Sequence, residues 1–124
     1  MENKGAFFTG KYRNVFTECG YPEQAVREKI QETWEQLFFG TEEIRFYHPV
    51  GADMGYITDT GNNDVRTEGM SYGMMMAVQM DDQNVFDHLW KWAKTYMWHD
   101  HGPYKGNFAW SCALDGTRND QGPA

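Results

Sequence analysis

The residues best suited to chemistry lie between Asp64 and Val78, where Glu68 precedes glycine, aromatic and thioether side chains. A glutamate in such a segment has two interpretations. At a helix start it is solvated and complements the positive end of the helix dipole, with Thr67 as the capping residue. In an apolar wall it loses solvation, which disfavours the charged form and raises the pKa of the carboxyl group. The second interpretation makes it a general acid.

Two glycines close to Glu68 favour the second interpretation. Gly69 and Gly73 lie in a segment whose apolar residues recur near helical spacing, namely Met70, Met74, Ala77 and Val78. Each glycine costs a helix interior about 1 kcal/mol relative to alanine, so a sequence that keeps both needs close backbone approach or room for a ligand. We therefore expect Glu68 in the first turn of a helix that forms the floor of a pocket.

Residues 66–74 read RTEGMSYGM and resemble the general-acid signature of glycoside hydrolase family 8. That signature runs Ser-Glu-Gly, two residues, then Tyr-Gly-Met, and Thr67 stands here in place of the usual serine. The similarity covers residues 5–124. Its flanking motifs resemble the branch of reducing-end xylose-releasing exo-oligoxylanases, and they are DTGN at 59–62, GNFAWSC at 106–112 and DGT at 115–117.

The resemblance implies an all-α fold, the (α/α)6 toroid. We expect residues 1–124 to be the N-terminal part of a single glycoside hydrolase catalytic domain, with about three helices and structured loops. It also implies that the general base of the family lies beyond Ala124. We therefore do not expect Asp53, Asp59 or Asp64 to act as the base.

The activity implied by the resemblance is inverting hydrolysis of β-1,4-xylosidic bonds in xylo-oligosaccharides, with release of xylose from the reducing end. An alkoxide is a poor leaving group at neutral pH, so the bridging oxygen needs a proton, and Glu68 is the expected donor. A second carboxylate activates water from the opposite face of the sugar. The alternatives are an endo-acting xylanase, cellulase or chitosanase of the same family, or an inactive or carbohydrate-binding fragment without the base.

Two aromatic residues are candidates for binding the sugar. The family has a tryptophan beside the cleaved sugar at the position of Trp110, so we interpret Trp110 as a stacking platform rather than an ordinary buried ring. Tyr72 lies one helical turn after Glu68. Its hydroxyl would orient the acid or touch substrate, or else Tyr72 is a core tyrosine.

Three charged residues before the helix are further candidates. Arg66 would bond a sugar hydroxyl or pair with Asp64 or Asp59. An arginine paired with the acid would lower the acid's pKa and spoil it as a proton donor, so we expect the guanidinium to point away from Glu68. Asp59 and Asp64 bind backbone amides in turns or else touch sugar.

Composition and charge exclude several function classes. With 11 basic and 18 acidic residues and a formal charge of -7, a phosphate-neutralising surface and hence a nucleic-acid partner are not expected. The sequence has no long apolar run and no secretory signal, so we expect no membrane partner and a cytoplasmic location. Cys19 and Cys112 lack metal-ligand spacing and are interpreted as structural thiols. We expect neither a metal nor another cofactor.

The elements that would hold these residues follow from apolar spacing and turn formers. We predict a helix from Tyr21 to Gly40, extended pieces at residues 44–47 and 56–58, and helices at 68–80 and 83–97. Residues 74–76, all methionine, are expected in the core. The apolar side of the first helix and the buried side of the last one are predicted to be Ala25, Ile30, Trp34, Leu37 and Phe38, and Val85, Phe86, Leu89, Trp90, Ala93, Tyr96 and Met97. If the chain is part of a toroid, we expect its other apolar helix faces to pack against later helices or to cause self-association.

Overall fold

The computed structural model describes residues 9–119 and 122–123. The chain divides into two compact units, Met1–Glu35 and Gln36–Ala124, and the boundary falls within a helix. The prediction of one domain over residues 1–124 stays a prediction. In chain order the elements are α1 (Val15–Glu18), α2 (Glu23–Phe39), β1 (Tyr47–Val50), β2 (Met54–Ile57), β3 (Val65–Arg66), α3 (Thr67–Gln79), α4 (Gln83–Trp92), the π-helix π1 (Ala93–Met97) and β4 (Ser111–Cys112).

The all-α prediction needs a correction, because the helices are accompanied by two small antiparallel sheets. In the first sheet β1 pairs with β2, and Tyr47 lies opposite Ile57. The predicted extended pieces lay within a few residues of these strands. In the second sheet β3 pairs with β4, so that Arg66 lies opposite Ser111. This second sheet joins residues far apart in the sequence, which local patterns do not reveal.

The three predicted helices are confirmed with small shifts in their bounds. Helix α2 begins directly after Pro22 and ends before Gly40, and α3 is displaced by one residue from the prediction. Helix α4 begins after Asp82, whose carboxylate accepts a hydrogen bond from the Val85 amide at 3.0 Å. Its predicted last turn is instead the π-helix π1. The short helix α1, capped by Asn14, was not predicted.

Side-chain burial agrees with the prediction for most of α4 and π1 but not for every residue. Leu89 is fully buried, whereas Trp90, predicted to be buried, is 46 % exposed, and Trp92 takes its place in the core. In α2, Ile30 is 51 % exposed. In α3, Met75 and Met76 are exposed, contrary to the prediction of a core position. The methionine run spans more than one face of its helix, so only part of it can face this core.

The glycines of α3 serve close backbone approach, which is one of the two predicted reasons for keeping them; the pocket floor stays a prediction. A Cβ on Gly73 would lie 2.7 Å from Ile57 Cγ1 and 3.1 Å from Leu89 Cδ1. A Cβ on Gly69 would lie 3.3 Å from Ile57 Cγ2. Helix α3 therefore uses both glycines to lie directly on β2, and Gly73 also brings it against α4.

Within the described ranges, no helix is long and apolar enough to cross a membrane.

Candidate active site

Glu68 lies in the first turn of α3, as predicted. The residue that caps this helix is Arg66 and not Thr67, and its side chain makes no capping hydrogen bond. Thr67 is the first helical residue, and its hydroxyl donates to Glu68 Oε2 at 3.3 Å. The Glu68 side chain is exposed, so the described residues do not form the predicted apolar wall around it.

The second sheet brings Trp110 to the start of α3. The Thr67 amide donates to the Trp110 carbonyl oxygen at 3.1 Å, and the next residue, Ser111, pairs with Arg66. Ser111 is buried, and its hydroxyl accepts a hydrogen bond from the Asn119 side chain. Sequence reasoning singled out neither Ser111, although it lies in the GNFAWSC motif, nor Asn119, because local patterns do not reveal which residues anchor this strand.

The Arg66 side chain is held by two carboxylates. Its Nε lies 3.0 Å from Asp64 Oδ1 and 3.3 Å from Asp64 Oδ2, and 3.4 Å from Asp59 Oδ2. The hydrogen bond to Asp64 is the main cause of a raised Arg66 pKa. Arg66 forms no ion pair with Glu68, which confirms that the guanidinium points elsewhere.

The guanidinium also lies over the Trp110 ring, with 5.3 Å between Arg66 Cζ and the ring centroid. This distance is typical of a cation–π contact. Trp110 is half-buried. One part of the ring is therefore engaged by Arg66, and the contact links β3 to the residue that precedes β4.

Asp59 stabilises the turn that precedes β3. Its Oδ1 accepts hydrogen bonds from the amides of Gly61 and Asn62, both at 2.9 Å, which confirms the predicted role in a turn. The Asn62 side chain is the main cause of a lowered Asp59 pKa, with further contributions from these amides and Arg66. The Asp64 carboxylate instead binds Arg66, so a role in binding turn amides is wrong for its side chain.

Tyr72 projects from α3 one turn after Glu68 and is 59 % exposed. It is therefore not a core tyrosine within the described residues.

A cavity of about 310 Å³ lies at the other end of α3, near the turn into α4, and its lining includes Ala77, Asp82 and Phe86. That cavity is separate from Glu68 and does not contribute to this site.

No group of three or more histidine, cysteine or acidic side chains in the described segments is arranged to hold a metal ion. His101 pairs with Asp100. The interpretation of both cysteines as structural is correct for Cys112, which is buried and whose burial raises its pKa to about 11. Cys19 is exposed.

The model of the family described as "Glycosyl hydrolases family 8" matches residues 9–120. The chain belongs to glycosyl hydrolase family 8. It is 57 % identical over 124 residues to the reducing-end xylose-releasing exo-oligoxylanase Rex8A of Paenibacillus barcinonensis, and the match covers 100 % of this chain and 33 % of Rex8A. It is 55 % identical over 121 residues to the exo-oligoxylanase of the same description from Halalkalibacterium halodurans, covering 98 % of this chain and 31 % of that one.

Solved structures of this family agree with the fold. Rex8A from P. barcinonensis complexed with xylose matches with a TM-score of 0.93 and 57 % identity over 98 % of this chain and 32 % of that chain. A Rex8A mutant complexed with an arabinofuranosyl-xylotetraose matches with a TM-score of 0.94 and 56 % identity over the same shares. The family 8 chain thus spans about a third of the length of the relatives that it matches.

Proposed function

We propose that this chain supplies the proton donor, Glu68, of a glycoside hydrolase that cleaves xylo-oligosaccharides and releases xylose from the reducing end. The observation that carries the proposal is an exposed glutamate at the first turn of α3, next to Thr67, whose amide binds the carbonyl oxygen of Trp110, the residue before β4. The names of the two relatives, both reducing-end xylose-releasing exo-oligoxylanases, support the substrate. Trp110, Tyr72 and Arg66 are the side chains proposed to meet the sugar.

The proposed chemistry is inversion, in which Glu68 protonates the bridging oxygen while a second carboxylate activates water. Asp59 and Asp64 are poor candidates for that base because Arg66 occupies their carboxylates. Asp53 pairs with Lys91. As the resemblance to family 8 implies, we propose that the base belongs to a segment equivalent to the part of the relatives that this chain does not span. With that segment the chain would complete an (α/α)6 toroid.

One exposed surface of α3 is the proposed docking surface for that segment. Tyr72, Met75 and Met76, here called the α3 stripe, are 59 %, 54 % and 41 % exposed. They follow Glu68 at spacings of four, seven and eight residues, which places all four on one helix face. Exposed apolar surface of this kind favours association. In the absence of the segment, we propose that the stripe pairs with a second copy of the chain.

The experiment that tests the proposed function uses the chain alone and a chimera in which it replaces the matched third of Rex8A. We expect the chimera to release xylose from xylotriose, and Glu68→Gln to lower its kcat by about 100-fold or more while sugar binding is retained. The matched control is Glu43→Gln, which alters an exposed glutamate before β1 and is expected to leave turnover unchanged.

Several outcomes would contradict the proposal. Full activity of the Glu68→Gln chimera would assign the proton to another donor. A folded chimera that binds xylotriose without turnover would favour a carbohydrate-binding role, and cleavage within longer xylan chains would favour endo action. A cytoplasmic location stays a prediction, which fractionation of cells that express the natural gene would test.

A further inference from the structure

We infer that Asp59 and Asp64 are positioning residues, whose carboxylates hold Arg66 against the Trp110 ring and away from Glu68. This inference rests on the proposed role of Glu68 and changes the role of the two aspartates, which the sequence allowed to be sugar ligands. It assigns them to the control of a neighbouring cation. The sugar contact at this edge of the site is left to Arg66 and Trp110.

Without the two aspartates, the Arg66 side chain would be free to approach Glu68. Arg66 is two residues before Glu68, and its charge already interacts favourably with that carboxylate. An arginine side chain is long and flexible, and a carboxylate is its preferred partner. Unrestrained, the guanidinium would therefore move toward Glu68 and stabilise the charged form, which cannot deliver a proton.

The carboxylates of Asp59 and Asp64 are largely occupied by Arg66 and by amides of the turn. Asp64 presents both oxygens to Arg66 Nε, at 3.0 and 3.3 Å. Asp59 Oδ2 lies 3.4 Å from the same nitrogen, while Asp59 Oδ1 accepts bonds from the turn amides of Gly61 and Asn62. The side chains of Asp64 and Asp59 are only 20 % and 31 % exposed. Little of either carboxylate is left for a sugar hydroxyl.

Backbone hydrogen bonds in the turn fix the positions of Asp59 and Asp64. The Asp59 amide donates to the Asp64 carbonyl oxygen at 2.8 Å, and the Asn63 amide donates to the Asp59 carbonyl oxygen at 2.8 Å. Asn63 has a φ of +54°, a left-handed conformation that asparagine tolerates better than most residues. The turn therefore closes on itself and carries both carboxylates to the same side of β3.

The Arg66 guanidinium keeps hydrogen-bond donors that its contacts with the aspartates do not use. Both aspartates engage Nε, and the two Nη groups donate to no acceptor among the residues that the structure describes. These groups are part of the guanidinium that lies over Trp110. Hydroxyl-bearing ligands can accept bonds from such donors while their apolar face lies on an aromatic ring. Arg66 is therefore placed to bind the sugar and not Glu68.

The charged and polar groups around Glu68 limit what else could produce the same effect. Strand β3 contributes Arg66, the turn contributes Asp59 and Asp64, and α3 contributes the Thr67 hydroxyl bonded to Glu68 Oε2. The paired strand β4 consists of Ser111 and Cys112, neither of which is a cation. Arg118 pairs with Cys112, but its guanidinium donates to the Trp98 carbonyl oxygen at 3.1 Å. Arg66 is therefore the cation whose position a change at Asp64 would alter.

The test measures the titration midpoint of the Glu68 carboxyl carbon by NMR in the 124-residue chain, which does not depend on turnover. In Asp64→Asn, we expect this midpoint to fall by roughly 0.5 pH unit, because the released Arg66 approaches Glu68. The indole resonance of Trp110 is expected to shift as the guanidinium leaves the ring. In the double variant Asp64→Asn with Arg66→Gln, the midpoint should return to its original value or rise above it.

Two further variants keep the test decisive. Asp59→Asn removes the more distant carboxylate, so we expect a smaller shift in the same direction, and it serves if Asp64→Asn does not fold. Asp53→Asn is the matched control, because it also breaks an ion pair, with Lys91, away from this site, and it should leave the midpoint unchanged. An unchanged midpoint in folded Asp64→Asn and Asp59→Asn, or a fall that persists after Arg66→Gln, would overturn the inference.

The same variants in the Rex8A chimera separate this inference from the proposed function. If Asp64→Asn moves the midpoint but no variant of the chimera hydrolyses xylotriose, the positioning role stands and the enzymatic role of Glu68 fails. If the chimera is active and the midpoint does not move, the enzymatic role stands and the positioning role fails. When both hold, the alkaline limb of kcat/KM should move to lower pH in Asp64→Asn.

Discussion

Helices α3 and α4 follow one another in the chain and pack against the same strand, yet they use their apolar residues differently. Helix α4 directs Val85, Leu89 and Trp92 into one core and is capped by Asp82. Helix α3 buries Met70, Gly73 and Ala77 on one side and leaves the α3 stripe exposed on the other. It has no side-chain cap.

This difference shows that the two helices have different requirements for neighbours. A helix with a single apolar side is satisfied by one packing partner, whereas a helix that is apolar on opposite sides needs two. Glu68 lies on the side of α3 that has no packing partner among the described residues. The candidate site therefore lies on the exposed side of α3, whereas the apolar side of α4 is buried among the described residues.

The largest expected effect is the loss of stability on truncating the core of α4. Leu89 is fully buried, so Leu89→Ala should lower the free energy of unfolding by about 2–5 kcal/mol. The same type of truncation on the α3 stripe, Met75→Ala, should change it by no more than about 0.5 kcal/mol. Urea unfolding followed by circular dichroism measures both. At a chain concentration below that of self-association, equal losses at the two positions would show that the stripe is packed within the monomer.

A smaller effect is expected where α3 meets β2. Gly73→Ala should lower the free energy of unfolding by about 1–3 kcal/mol, because its Cβ would overlap Ile57. Gly69→Ala is the matched control. Its Cβ would lie 3.3 Å from Ile57 Cγ2, a tight contact that a small shift of the Ile57 side chain relieves. Alanine favours a helix by about 1 kcal/mol, which offsets that cost, so little net change is expected. Thermal unfolding compares the two, and a harmless Gly73→Ala would contradict the close approach.

The smallest effect on stability is expected on the α3 stripe itself, where the change should appear in association. The double variant Met75→Gln with Met76→Gln should keep the free energy of unfolding within about 0.5 kcal/mol and weaken self-association in sedimentation velocity. Val15→Gln is the control, since Val15 is a comparably exposed apolar residue of α1. Self-association that survives in the double variant would remove the stripe as the docking surface.

Much of the fold was predictable because helical periodicity and capping signals are local. The bounds of α3 were predicted to within one residue, and Pro22 and Gly40 marked the ends of α2. The second sheet was not predictable, because β3 and β4 are short and lie far apart in the chain. The exposure of Trp90 was not predictable either. Trp90 and Trp92 both lie at helical spacing from other apolar residues of this segment, and only the packed structure shows which of the two faces the core.

The sequence alone determined the family, the first-turn position of Glu68 and the set of residues around it, since a short motif carries this information in the identity of adjacent side chains. Only the tertiary structure decided that Trp110 lies under Arg66 and that Gly73 packs against Ile57. The physical reason is that these contacts join segments through hydrogen bonds and van der Waals packing between distant parts of the chain. Their partners are selected by the fold and not by spacing along the sequence.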